Sequence, residues 1–153
     1  MLALQAGHSV PNVDYGQVAA LVALVLLWIG VWIWICRYLG GHLRALPKEA
    51  THLTPGTQWL LLVPFVGLFA NFWILLGIAY GYRRAFEDLG RELPPRETGR
   101  TEALAWSIGA VVGFYPAPPV VLALIWMGAL LALVVYLFKL HSLRERFLRI
   151  EKD

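Results

Sequence analysis

Hydrophobic positions run along this chain in long blocks, and charged positions gather between them. No Asp, Glu, Lys or Arg occurs from Tyr15 to Cys36, between Glu49 and Arg83, or between Glu102 and Lys139. Each run meets or exceeds the roughly 20 residues a helix needs to cross about 30 Å of hydrocarbon. Within Val18–Cys36 stand eleven Val, Leu and Ile residues. At roughly 0.3 to 0.6 kcal/mol each they favour the bilayer by about 3 to 7 kcal/mol.

The pattern predicts a polar tail over 1–14 and a first helix over about 16–39, stopped at Gly40-Gly41, because glycine takes the left-handed position after a helix without strain. A basic stretch, His42 to His52, follows. Thr54-Pro55 suits a helix start: threonine caps free N–H groups, and proline at the first position gives up an N–H that is not needed there. The second segment then runs over about 55–89, with Pro64 and Asn71 as irregularities, and leaves the apolar region through the pairs Arg83–Glu87 and Arg84–Asp88. The third charge-free run is broken by Gly113, Pro116, Pro118 and Pro119, which predicts helices over about 101–115 and 120–150. Leu140, Leu143, Phe147 and Ile150 form an apolar stripe at the end of the last helix. That stripe suits a partner, the headgroup layer, or the protein's own loops.

Composition agrees with the blocks. Of 153 residues, 59% are hydrophobic and 15% charged, against about 25% charged in soluble domains. The expected fold is therefore all-α: an integral membrane helical protein, one membrane domain over 1–153, with four membrane-embedded segments, the third and fourth forming a hairpin. Residues 1–14 hold no Lys or Arg, so the first helix reads as an uncleaved anchor.

Basic residues set the expected orientation, since positive loops stay cytoplasmic. The tail has none, residues 37–52 have three, and residues 83–100 and 139–153 have five each. The tail is expected outside and the C-terminus in the cytoplasm. Two threadings remain open. In one the second segment bends near Pro64–Asn71 and returns to its own side; in the other residues 57–82 make one tilted span.

The candidate chemistry is sparse. His8, His42, His52 and His141 show no metal-like spacing, and His141 is the sole weak candidate for a cofactor contact. Neither catalytic nor metal residues are expected, because no ionisable side chain stands inside an apolar run to activate a hydroxyl or carry a proton. Cys36 offers either a quiet buried thiol or an acylation site. Gly77 and Gly81, and Gly109 and Gly113, are spaced to let helix backbones approach closely, and Asn71 is a polar contact within the same packing. Trp28, Trp32, Trp34, Tyr38 and Trp59 read as interface anchors. Arg83, Arg84, Arg144, Arg146 and Arg149 would contact anionic lipid or a partner.

The stretch Arg44–Gly90 carries a basic linker, Thr54-Pro55-Gly56, Val63-Pro64-Phe65, Asn71-Phe72-Trp73 and Phe86-Glu87-Asp88-Leu89. On these motifs residues 37–150 resemble a domain-of-unknown-function family of small bacterial polytopic membrane proteins. The resemblance implies a bacterial inner-membrane domain with the Pro–Asn irregularity built in, and brings no activity.

The expected function is that of a non-catalytic membrane subunit, not an enzyme. It would pack against transmembrane helices of a larger complex, such as an energy-transducing one, in an accessory, assembly or stabilising role. The alternative is a small oligomeric pore or carrier. No cofactor and no nucleic acid are expected; bound lipid, and either other transmembrane proteins or self-association, are.

Overall fold

A computed structural model describes residues 15–150 apart from Pro64 and Pro95. The expectations for the tail 1–14, including His8, and for Pro64 lie outside the described residues. The elements are α1 (Tyr15–Ala45), a short 3-10 helix (Thr57–Leu62), α2 (Val66–Asp88), α3 (Arg100–Val112) and α4 (Pro119–Ile150). The all-α expectation and the position of α4 agree with this.

Four membrane-embedded segments do not. Among the described residues two helices, α1 and α4, are long and apolar enough to cross a membrane. Helix length, not the length of the charge-free run, decides this. α3 has 13 residues and at 1.5 Å per residue reaches only about 20 Å. The segment expected over 55–89 divides into a six-residue 3-10 helix and α2, whose last turns carry Arg83, Arg84, Glu87 and Asp88.

The stop expected at Gly40-Gly41 is also displaced, since α1 continues to Ala45. Gly40 serves close approach instead: a Cβ there would meet Gln58 Nε2 at 2.6 Å. The helix ends shortly before Pro47, which disfavours helical backbone in the residue before it. Cys36, Leu39, Leu43 and Leu46, at 3-4-3 spacing, are all buried. They form an apolar stripe, running from α1 into the turn after it, that packs on the rest of the chain.

Between the 3-10 helix and α2 the chain reverses. Gly67 N–H donates to the Val63 carbonyl at 2.7 Å, and a Cβ on Gly67 would stand 2.6 Å from the Leu61 carbonyl oxygen. Only glycine lets the first turn of α2 lie this close to the 3-10 backbone. Phe65 takes a φ of 61° with a ψ of −49°, outside the regions that side-chain-bearing residues favour.

α3 and α4 are antiparallel. Gly113 faces Trp126, Gly109 faces Ala129, and Glu102 binds Lys139 at 2.6 Å. α2 packs on α3, and Tyr136 of α4 reaches it by donating to the Leu75 carbonyl at 2.7 Å. The charged segments meet at one end: His42 with Tyr82, Phe86 with Phe147, and Arg146 with Glu97 at 3.0 Å. A single span over 57–82 would have put residues 83–102 at the other end. The stripe Leu140, Leu143, Phe147 is buried and belongs to this chain's own core.

Two glycine substitutions test the α3–α4 approach. An added Cβ at Gly109 would lie 2.6 Å from the Ala129 Cβ, whereas at Gly128 it meets nothing within 4 Å. Gly109→Ala should destabilise by about 1–3 kcal/mol through overpacking. Gly128→Ala should be neutral or stabilising by up to about 1 kcal/mol. Thermal unfolding in detergent, followed by circular dichroism, checks both.

Candidate functional site: an aromatic cleft between the two long helices

From Tyr15 to Val31 every residue of α1 is exposed, and the first buried position is Ile35. From Val18 to Val31 no residue of α1 is buried against the other described elements. Where it does meet the other elements it closes one side of a cleft of about 440 Å³, within the range of small-molecule sites. Trp28, Val31, Trp32 and Ile35 line it from α1, and Leu61 and Leu62 from the 3-10 helix. Gly67, Leu68 and Asn71 of α2, Trp106 and Ala110 of α3, and Trp126, Leu130 and Leu133 of α4 line it too, with Val63, Phe65 and Phe114 between the helices.

The rings interlock around it. Trp32 and Trp106 have centroids 5.9 Å apart, Trp106 and Trp126 6.3 Å, and Phe114 and Trp126 6.1 Å. These are the tilted and edge-to-face distances aromatic pairs prefer. One polar pair stands in this wall: Trp106 Nε1 donates to Asn71 Oδ1 at 3.2 Å. Indole N–H is only a donor, so the bond fixes the amide with its oxygen toward Trp106 and its Nδ2 away from it. Helix period brings Asn71 here, on the packed face of α2 with Gly67, Ile74, Leu75 and Ile78.

A second polar group lies nearer the charged end. His42 Nδ1 and the Tyr82 hydroxyl are 2.7 Å apart, and both residues are fully buried. Burial pushes the Tyr82 hydroxyl well above its ordinary range, so it stays protonated and able to donate. Tyr38 packs edge-on to the His42 ring and donates to the Leu137 carbonyl at 3.1 Å. His42 Nε2 and Arg144 Nε are buried without a hydrogen-bond partner among the described residues.

The other residues singled out from the sequence fall as follows. Gly77 and Gly81 face the linker, Leu53 and Leu46 respectively, while Gly109 and Gly113 face α4. Cys36 is buried and its Sγ donates to the Gln58 carbonyl at 3.3 Å, the arrangement of a quiet thiol. Trp28 and Trp32 line the cleft. Trp34 stacks on Tyr38 at 5.7 Å, and Trp59 is exposed. Arg83 pairs with Glu87 at 2.7 Å, an exposed pair worth at most about 1 kcal/mol. Arg84 is exposed, Arg146 pairs with Glu97, and Arg149 borders a polar hollow with Arg91 and Glu92. His141 is exposed beside Glu145 at 3.3 Å, away from the cleft. Among the described residues no three His, Cys, Asp or Glu side chains gather closely enough to hold a metal ion.

Sequence reasoning missed the His42–Tyr82 pair and the ring cluster on Trp106 and Trp126. The signal for the first was present, because the apolar stripe of α1 continues through Leu39, Leu43 and Leu46 and carries His42 beside it. No family model, curated protein or solved structure matches the chain, so the resemblance noted for residues 37–150 gains no support from them.

The buried pair gives a double-mutant test. Tyr82→Phe leaves His42 Nδ1 without a partner and should cost about 1–3 kcal/mol. Adding His42→Phe should cost less than the sum of the single changes, measured by denaturant unfolding in mixed micelles. Additive losses would show that the two rings act independently.

Proposed function

We propose that this chain is a non-catalytic integral membrane subunit that packs against transmembrane helices of a larger complex, in an accessory, assembly or stabilising role. The observation that carries the reading is α1. A helix that is apolar and exposed over about 20 Å from Val18 to Val31 needs an apolar surrounding along that length. Lipid satisfies the hydrophobic need, and a neighbouring helix adds close packing. The packed core formed by α2, α3, α4 and the end of α1 holds α1 from one side only, as a mount would. The basic bias of residues 37–52, 83–100 and 139–153 supports a cytoplasmic position for the shared charged end. The family resemblance supports a bacterial inner membrane.

The oligomeric pore finds less support. Asn71, the polar residue it would rely on, is engaged by Trp106, and Ser107 is fully buried.

Site-specific photo-crosslinking in the native membrane separates the two. A photoreactive side chain at Leu24, which is 62% exposed on the unpartnered length of α1, should join one defined transmembrane protein. The same group at Arg84, at the charged end, should not. Crosslinks to copies of this chain alone, from Leu24, would overturn the subunit reading in favour of self-association.

A further inference from the structure

The two helices that are long and apolar enough to cross a membrane leave their uncharged lengths at one level. In α1 the first charge after the uncharged run is Arg37, and in α4 it is Lys139. The Tyr38 hydroxyl donates to the Leu137 carbonyl at 3.1 Å, so the two transitions lie side by side. In α4 the uncharged length from Pro119 to Phe138 is about 30 Å long, the thickness of the hydrocarbon layer. Lys139 therefore stands where hydrocarbon gives way to headgroups. Ser142 lies about 5 Å further along the helix axis and Arg146 about 10 Å. The headgroup layer is roughly 5–8 Å deep on each side, so this turn of α4 passes through it.

At this level lies a hollow of about 130 Å³, lined by Arg96, Glu97, Lys139, Ser142, Leu143 and Arg146. Lys139, Ser142 and Arg146 share a face of α4 by their three- and four-residue spacing, and the loop before α3 supplies Arg96 and Glu97. Three of the lining residues are basic and one is acidic. That carboxylate, Glu97, is already held by Arg146 at 3.0 Å. Lys139 Nζ donates to Glu102 Oε1 and to the Arg96 carbonyl, each at 2.6 Å, which leaves one of its three donors over. The Arg96 side chain is exposed and takes part in no ion pair or hydrogen bond among the described residues, and neither does the Ser142 hydroxyl. A guanidinium fork, an ammonium donor and a hydroxyl around one hollow, with its own carboxylate spent, suit a phosphate. The volume equals that of a few water molecules, which a phosphate group can displace.

We propose that the hollow between Arg96 and the Lys139–Arg146 face of α4 binds the headgroup phosphate of an anionic phospholipid, with Arg96 as its principal contact. A free phosphate offers the same oxygens, but the position of the hollow beside the end of both apolar lengths favours a phosphate fixed in the headgroup layer. The proposal rests on the reading of α1 and α4 as membrane-crossing helices and not on any partner subunit.

The test reconstitutes the whole chain into phosphatidylcholine vesicles with a minor share of phosphatidylglycerol. The vesicles are floated on a density gradient, then released into mild detergent, and the lipids retained per chain are counted by native mass spectrometry. The chain should float with the vesicles and retain one phosphatidylglycerol in preference to the more abundant phosphatidylcholine. Arg96→Ala should lower that retention about fivefold, the effect of one basic residue near the surface. The Lys139 contact at Arg96 is to its backbone carbonyl, so the fold does not depend on the side chain removed. Arg44→Ala removes an exposed arginine seven positions past Arg37 on α1, outside the hollow, and should leave retention unchanged. Inorganic phosphate in large excess should not displace the lipid. Retention in proportion to vesicle composition, or equal losses in Arg96→Ala and Arg44→Ala, would overturn the site. Displacement by inorganic phosphate would overturn the lipid as the source of the phosphate. A chain that does not float would overturn the membrane reading and the site together, whereas flotation without selective retention overturns the site alone.

Discussion

α3 is too short to stand alone in a bilayer and too polar at its start to be drawn in by hydrophobicity, so its position depends on how closely it lies against α4. That closeness comes from two missing side chains. At Gly109 the Ala129 methyl occupies the space a Cβ would need, and at Gly113 the Trp126 indole does. Dispersion accumulates where backbones come this near. Once α3 is placed, Trp106 is placed with it, Asn71 has its partner, and α2 has a surface to pack on. Lys139 holds the other end of the pair through Glu102 and the Arg96 carbonyl.

The hydrogen bonds of the interior follow a common rule. Tyr38, Tyr136 and Cys36 each donate to a backbone carbonyl of another element, and His42 is matched with a hydroxyl instead of a charge. Neutral donors on carbonyls tie helices together without the desolvation cost of buried ions. The charged residues, by contrast, stay at the end where Lys139, Arg146, Glu97 and Glu102 meet, all partly open to solvent.

Much of the helical content was legible because apolar blocks and their punctuation are strong signals. Pro47, Pro116 and Pro118 lie outside helices as expected, and α4 begins at Pro119, one residue before the expected start. The number of membrane-crossing helices was not legible. A charge-free run says that a segment tolerates lipid, but not that it is one continuous helix. The close seating of α2 on the 3-10 helix depends on Gly67 lying against the Leu61 carbonyl, which is a tertiary fact. Gly40 misled for a related reason, since glycine at a helix end and glycine at a tight crossing look alike in sequence. Within the candidate cleft, Asn71 was noticed for its polarity, while Trp106 and Trp126 read as ordinary apolar positions until the α3–α4 pairing brought their rings together.

The one-sided mounting of α1 separates two properties that are often coupled in membrane assemblies. The buried residues of α1 begin at Ile35, and among the described residues none from Val18 to Val31 is buried. Whatever lies along that outer length can therefore come and go without loosening the core. Sequence drift there would leave the packing of the other helices intact so long as the segment stays apolar, so the outer length of α1 can change independently of the core that carries it.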